Sequence, residues 1–240
     1  MAGILFIISA PSGSGKSTLV SQIRSLVDNL EFSVSFTTRA PRGSEEDGRE
    51  YHFTTREEFE RMIGNDEFLE YAEVFGNYYG TARRSFADAK AHGKDLLLDI
   101  DVKGAAQVRE RVPDAVSVFV MPPDPNILAT RLRNRSRAEG SVQEDVINRR
   151  LAEARQEIEN YREYRYILVN DILARAEEEL LAIVVSERFQ REGGKSGLNP
   201  SPDVARLMKL AEGCQQQNEG ERIRPVLAAF GLLDPPIAKT

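Results

Sequence analysis

Cysteine is almost absent from this 240-residue chain. Cys214 stands alone, which excludes an intramolecular disulfide and suits a reducing compartment. A basic excess is missing too: Lys and Arg total 32 against 38 Asp and Glu, for a net charge of −6 and a pI near 5.2. That balance argues against nucleic acid or an anionic membrane as the main partner. No apolar run approaches the ~18 residues of a membrane span, and the chain enters its first apolar run without a charged leader region. A soluble, cytoplasmic protein is the expectation. Histidine is scarce, and neither His52 nor His92 sits in a pattern that suggests a general base. The hydrophobic content of 41% suffices for one sizeable core with small inserted lobes.

What is present is organised around residues 3–18. Ile4 to Ile8 form an apolar, β-branched run that reads as a buried strand, and Pro11 ends it. Ser12-Gly13-Ser14-Gly15-Lys16-Ser17-Thr18 follows, and then a helical pattern with Leu19, Ile23 and Leu26 on one face. The loop fits G-x-x-x-x-G-K-[ST] except that Ala10 takes the first position, which only eases the turn. Small residues let backbone N–H groups wrap a phosphate, and the helix N-terminus adds partial positive charge there. Lys16 can bridge the β- and γ-phosphates, and Ser17 can ligate Mg²⁺. A Gly/Ser-rich turn is the ordinary alternative, but a strand before and a helix after form the context that confirms a phosphate loop. A nucleoside triphosphate is the expected ligand.

The first helix is expected over about 17–28, and Phe32 to Phe36 alternates like a short strand. A polar segment rich in Gly and charge leads to a second short strand, Tyr51 to Phe53. Thr55 and Glu58 form a capping box ahead of Phe59, Met62 and Ile63. Phe68 to Tyr79 is aromatic and broken at Gly76-Asn77, and Thr81 to His92 reads as a helix closed by Gly93. Residues 33–93 therefore form a small β-rich lobe inserted into a core of 1–32 and 94–190. Leu96 to Asp101 returns to a buried strand with acids at its end, followed by a helix over about 103–112, a strand at Ala115 to Met121, and a helix after Pro125. A loop from Ala138 to Ser141 precedes a long helix over about 142–163, then a strand at Tyr166 to Asn170 and a last core helix over 172–189. Strands alternating with helices imply an α/β, three-layer, doubly wound parallel sheet. Residues 191–240 form a C-terminal extension, with a linker over 193–202 and short helices at Val204 to Cys214 and near Val226 to Leu233.

Arginines cluster twice in this acidic chain: at Arg39, Arg42 and Arg49, and at Arg131, Arg133, Arg135 and Arg137 with Arg149 and Arg150. A solvated charged face is the common explanation of such runs. Beside a phosphate loop, one cluster instead suits an acceptor and the other a lid, about 130–150, closing over the triphosphate, because the planar guanidinium binds phosphate oxygens in pairs. The missing histidine base fits an acceptor that is itself a phosphate, anionic near pH 7, whereas a hydroxyl acceptor would call for a nearby carboxylate such as Asp99 or Asp101.

Several separated motifs join the phosphate loop: Ser33 to Glu45, Phe68-Leu69-Glu70, Gly76 to Thr81, Leu98 to Asp101, and Val169-Asn170-Asp171. With these, the sequence over about residues 3 to 189 closely resembles the guanylate kinase family, bacterial type, with a C-terminal extension. The resemblance implies a P-loop NTPase fold with an inserted GMP-binding lobe and a lid, and transfer of the γ-phosphoryl of MgATP to GMP. ATP and GMP are the implied partners, with deoxy-GMP left open, and the assembly a monomer or homodimer. ATP would be held by Ser12, Gly13, Ser14, Gly15, Lys16, Ser17 and Thr18, with Asn170 and Asp171 flanking adenine. Mg²⁺ would sit on Ser17, mostly through waters and phosphates. Arg39, Arg42, Tyr51 and Tyr79 would hold the GMP phosphate, with Glu45 close by, and Ser35, Glu70 and Thr81 would read guanine. Asp99 and Asp101 would lie at the GMP ribose and base and the Mg²⁺–water shell; Lys16, Arg42, Arg131, Arg135 and Arg150 would carry catalysis, with Arg131, Arg135 and Arg150 clamping the transferring group.

The chain departs from the family pattern in a longer lid around Ser136 to Gly140, in Ser44 before Glu45 where Gly is expected, and in the extension. Two other readings stand beside this one. A phosphopeptide-binding relative that has lost catalysis would lack the working loop. A ribose-bisphosphate kinase would lack the trio Ser35, Glu70 and Thr81.

Overall fold

A computed structural model describes residues 3–74, 76–138, 143–196, 199–218 and 220–233. The chain opens with β1 (Leu5–Ser9), buried throughout, and α1 (Lys16–Leu26), which turns Leu19, Val20 and Ile23 inward. β2 (Leu30–Phe32), β3 (Phe36–Thr37), β4 (His52–Phe53) and α2 (Arg56–Gly64) follow. The Thr55 hydroxyl accepts from the Glu58 amide at 3.1 Å and caps α2 as the sequence pattern predicts. β5 (Phe68–Val74) and β6 (Asn77–Ala82) pair antiparallel ahead of α3 (Arg83–Ala91). The chain then alternates through β7 (Asp95–Asp99), α4 (Val102–Arg111), β8 (Val116–Met121), α5 (Pro125–Ala138), α6 (Glu144–Ile158) and β9 (Tyr166–Val169). It ends in three helices: α7 (Leu173–Ser196), α8 (Pro202–Gly213) and α9 (Gly220–Ala229). None of the described helices is long and apolar enough to cross a membrane.

These elements gather into two compact units, residues 1–8 with 27–117 and residues 9–26 with 118–240. In the first unit β2, β7 and β1 run parallel in that order, with Ile7 opposite Leu98 and Ile8 opposite Asp99. Near-continuous apolar strands are what a parallel sheet covered on its faces requires. A second sheet has the order β4-β3-β6-β5. Its core is aromatic: Phe59 stacks on Phe68 at 4.3 Å between centroids and on Tyr78 at 5.1 Å, beside Phe36, Met62 and Ala82. The strand expected across Phe32 to Phe36 is divided. Phe32 ends β2, Ser33 donates its amide to Leu97 O at 3.0 Å, and Phe36 begins β3 in the other sheet. The alternation marks a crossover between sheets, where each end needs one inward side chain.

In the second unit β8 and β9 pair in parallel, Val120 opposite Leu168, while α1 packs on α7 and α5 on α6. The helix expected to reach residue 163 stops at Ile158, and Glu159–Glu163 tighten into a 3₁₀ turn. The expected loop at Ala138 to Ser141, and with it Glu139 and Gly140 of the longer lid, lies largely outside the described residues. The linker expected at 193–202 is shorter than that. α7 continues through Gly193 and Gly194 to Ser196, because packing of α8 along α7 outweighs the roughly 1 kcal/mol that each helical glycine costs.

The extension docks on its own unit. Ile167 donates its amide to Cys214 O at 2.8 Å and Gln216 to Arg165 O at 2.9 Å, so the segment after α8 borders the edge of β9. Arg222 grips Glu179 of α7 with both carboxylate oxygens at 2.7 and 2.6 Å, and that carboxylate is 3% exposed. Removing one member of such a pair strands a buried charge. Arg175 remains within 3.2 Å of Glu179 as partial compensation. Arg222→Leu is therefore expected to lower unfolding free energy by about 2–3 kcal/mol, read as a lower urea midpoint at unchanged slope. An unchanged midpoint would show that the clasp adds nothing.

Candidate active site

The acceptor half is built within the first unit. A cavity of about 270 Å³ is lined by residues that include Ser35, Tyr51, Glu70, Tyr79, Asp99 and Asp101. Six sequence-predicted residues thus surround one space: Ser35 and Tyr51 just before β3 and β4, Glu70 and Tyr79 within β5 and β6, and Asp99 and Asp101 at and beyond the end of β7. Thr81, on β6 opposite Glu70 of β5, donates its hydroxyl to Glu70 Oε1 at 2.7 Å. Burial pushes the Glu70 carboxyl up to about 7, aided by the nearby Asp101 charge and opposed by the Thr81 hydrogen bond. Asp101 also caps α4, accepting from the Gly104 amide at 2.7 Å.

The arginine side of this half is preorganised. Arg39 meets Glu45 through both fork nitrogens, at 3.0 and 2.9 Å, and stands over the Tyr51 ring at 5.3 Å. The Arg39 guanidinium holds the Glu45 carboxyl below the usual carboxylate range. Glu45 also accepts from the Arg42 amide at 2.8 Å, fixing the turn from which the exposed Arg42 projects. Tyr51 and Tyr79 meet edge to face at 5.8 Å, and burial raises the Tyr51 hydroxyl. The arrangement sets the fixed Arg39 guanidinium beside two phenols, suited to a phosphate monoester.

The donor half is built within the second unit. Gly13 and Gly15 both adopt φ of +88°, a region open to glycine, and a Cβ on Gly15 would fall 2.3 Å from Asn170 Nδ2. Ser14 closes the turn by donating its amide to Pro11 O at 3.1 Å, and α1 starts at Lys16, so the N–H groups of its first turn face the loop. Ser12, Ser17 and Thr18 are exposed along this rim. Asn170 donates to Ser14 O at 2.8 Å, and Arg131 reaches Asn170 O at 3.0 Å and Ser14 O at 3.4 Å. Both side chains brace the loop. Asp171 accepts from the Ile172 amide at 2.8 Å ahead of α7. Arg133 is committed to Glu144, at 3.0 and 2.9 Å, tying α5 to α6, whereas Arg135 is exposed on α5 and Arg150 is half-buried on α6.

The family model for guanylate kinase matches residues 3–187. The chain belongs to the guanylate kinase family. It is 51% identical to the guanylate kinase of Koribacter versatilis over 230 residues, 96% of this chain and 97% of that one, a match that runs into the extension. It is 50% identical to the guanylate kinase of Neisseria meningitidis serogroup A over 189 residues, 79% of this chain and 90% of the relative. Among solved structures, the guanylate kinase from Anaplasma phagocytophilum matches at 34% identity and a TM-score of 0.59, covering 78% of this chain and 86% of that one. The fold class is accordingly the α/β P-loop NTPase fold, with parallel strands flanked by helices.

Two residues of the acceptor half escape motif reading. Gly104 lies inside α4, and Gln107 of the same helix bonds both backbone groups of Tyr71. The available signal was a glycine within a helical pattern, which calls for a packing or functional reason.

Proposed function

We propose that the chain catalyses transfer of the γ-phosphoryl group of MgATP to GMP, giving ADP and GDP. The observation that carries this reading is Glu70, a buried carboxylate set against Thr81 in a cavity that Ser35 also lines. The guanine edge offers N1–H and N2–H donors beside the O6 acceptor. One carboxylate accepts from both donors, and hydroxyls donate to O6. Adenine would turn an acceptor toward the carboxylate and leave buried groups unpaired, a penalty of roughly 10⁴ or more in selectivity.

In the transfer step a GMP phosphate oxygen forms a bond to the γ-phosphorus while the bond to the bridging oxygen of ADP breaks. The acceptor is already anionic, so no general base is needed. Arg39, held by Glu45, with Arg42, Tyr51 and Tyr79 binds the GMP phosphate. Lys16 and the loop amides of Gly13 and Gly15 hold the triphosphate, and Arg131, Arg135 and Arg150 offset charge spreading over the transferring group. Ser17, in the first turn of α1, suits a hard cation held mainly by phosphate oxygens and water, the mode that Mg²⁺ prefers. When bound, Mg²⁺ supplies charge neutralisation at the phosphates.

An ADP-release assay with MgATP against GMP, AMP, CMP, UMP and ribose 1,5-bisphosphate tests the reading. Release with GMP, far above the other four, is the expected result. Release with the sugar bisphosphate alone would move the activity elsewhere within the fold.

A further inference from the structure

We infer that α4 is a specificity-determining element: the missing side chain of Gly104 makes room for the Glu70 carboxylate, and Gln107 fixes the strand that carries it. The inference rests on the proposed reading of Glu70 as the guanine acceptor.

Gly104 has an ordinary helical backbone, so conformational freedom does not explain it. A helical glycine is unfavourable relative to alanine, and here the reason is space. A Cβ built on Gly104 would stand 2.9 Å from Glu70 Oε2 and 3.3 Å from its Cδ. Oε1 of the same carboxylate is fixed by the Thr81 hydroxyl at 2.7 Å. A methyl group at position 104 would therefore meet the second oxygen, the one left to orient toward a base, while the first stays tethered. The clash falls on the end of a side chain rather than on backbone, so the helix tolerates it and the carboxylate moves.

Gln107 lies one turn further along α4. Its side-chain amide donates to Tyr71 O at 2.9 Å and accepts from Tyr71 N at 3.2 Å. β5 is the edge of its sheet, so the amide takes the place of a missing neighbouring strand at the residue after Glu70. Arg111 adds a bond to Phe68 O on the other side of Glu70. Strand and helix thus hold the carboxylate from both ends of its backbone.

The test compares Gly104→Ala, Gln107→Leu and Glu70→Gln with the parent protein, by GMP and ATP titration calorimetry and by thermal melting. Gly104→Ala is expected to weaken GMP binding about 10-fold or more, to leave ATP affinity within about 2-fold, and to keep or raise the melting temperature. Gln107→Leu is expected to weaken GMP binding by about 3- to 10-fold with the same ATP indifference. A lowered melting temperature with equal losses for both nucleotides would make the residues merely structural and overturn the inference. Unchanged GMP affinity in Gly104→Ala, with Glu70→Gln impaired, would overturn it while leaving the Glu70 reading intact. Unchanged affinity in Glu70→Gln would overturn both.

Discussion

Replacing Lys16 by methionine is expected to lower kcat by about 10³-fold while the dissociation constant for GMP stays within about 2-fold of its original value. Methionine keeps an unbranched apolar stem of nearly the same length and removes the ammonium. Lys16 is the first residue of α1, where the N–H groups of the first turn already favour anions. The ground-state triphosphate is therefore still held by the amides of Gly13 and Gly15, and the loss falls on the transition state, where charge on the bridging and terminal oxygens grows. The residues assigned to GMP, Glu70 and Thr81 among them, belong to the other compact unit, which explains why GMP binding survives. Steady-state kinetics and a GMP titration of the variant separate the two effects. An unchanged kcat would remove Lys16 from the mechanism, and a matching loss of GMP affinity would indicate a disrupted fold.

The phosphate loop was legible because its chemistry is local. Gly13 and Gly15 need positive φ, Lys16 must open a helix, and the strand before and the helix after are contiguous in sequence. The Thr55 cap and the break at Gly76-Asn77, where β5 gives way to β6, were legible for the same reason. Two features were not. The split of Phe32 to Phe36 between two sheets depends on which partner each end finds, Leu97 for Phe32 and Gly80 for Phe36, and alternation cannot distinguish one strand from a crossover. The continuation of α7 through Gly193 and Gly194 depends on α8 returning along it, a tertiary contact that overrides propensity. The acceptor residues fall between these cases. Their types and positions followed from the family resemblance, but their support did not: Glu45 bracing Arg39, and Gly104 and Gln107 bracing Glu70, arise from side chains meeting across turns and from helix to strand.

Glu70→Gln carries the second large effect, and it works in opposite directions on binding and on stability. Glutamine keeps one acceptor and presents an NH₂ group where the second carboxylate oxygen stood, so one guanine N–H meets a donor. GMP affinity is expected to fall about 100-fold or more at pH 7.5, with ATP affinity unchanged. In the ligand-free protein the carboxyl titrates near 7, raised by burial and by Asp101 above its unfolded value of 4.5. Between those two pH values the folded state binds the extra proton, so stability from this group is present at low pH and is lost as pH rises through 7. The variant is therefore expected to be more stable than its parent by about 1–3 kcal/mol at pH 8, an advantage that vanishes near pH 4.5. For binding the sign reverses. A protonated carboxyl offers a donor to guanine donors, so the parent's GMP affinity falls as pH drops below 7, by up to about tenfold per unit. The GMP phosphate titrates in the same range, but it does so equally for parent and variant, so the difference between their pH profiles isolates Glu70. Profiles that fall in parallel would mean that this carboxylate does not read the base. A variant that is both less stable and pH-independent would show instead that Glu70 is a structural partner of Thr81, and the guanine-reading role would pass to Ser35 and Thr81 alone.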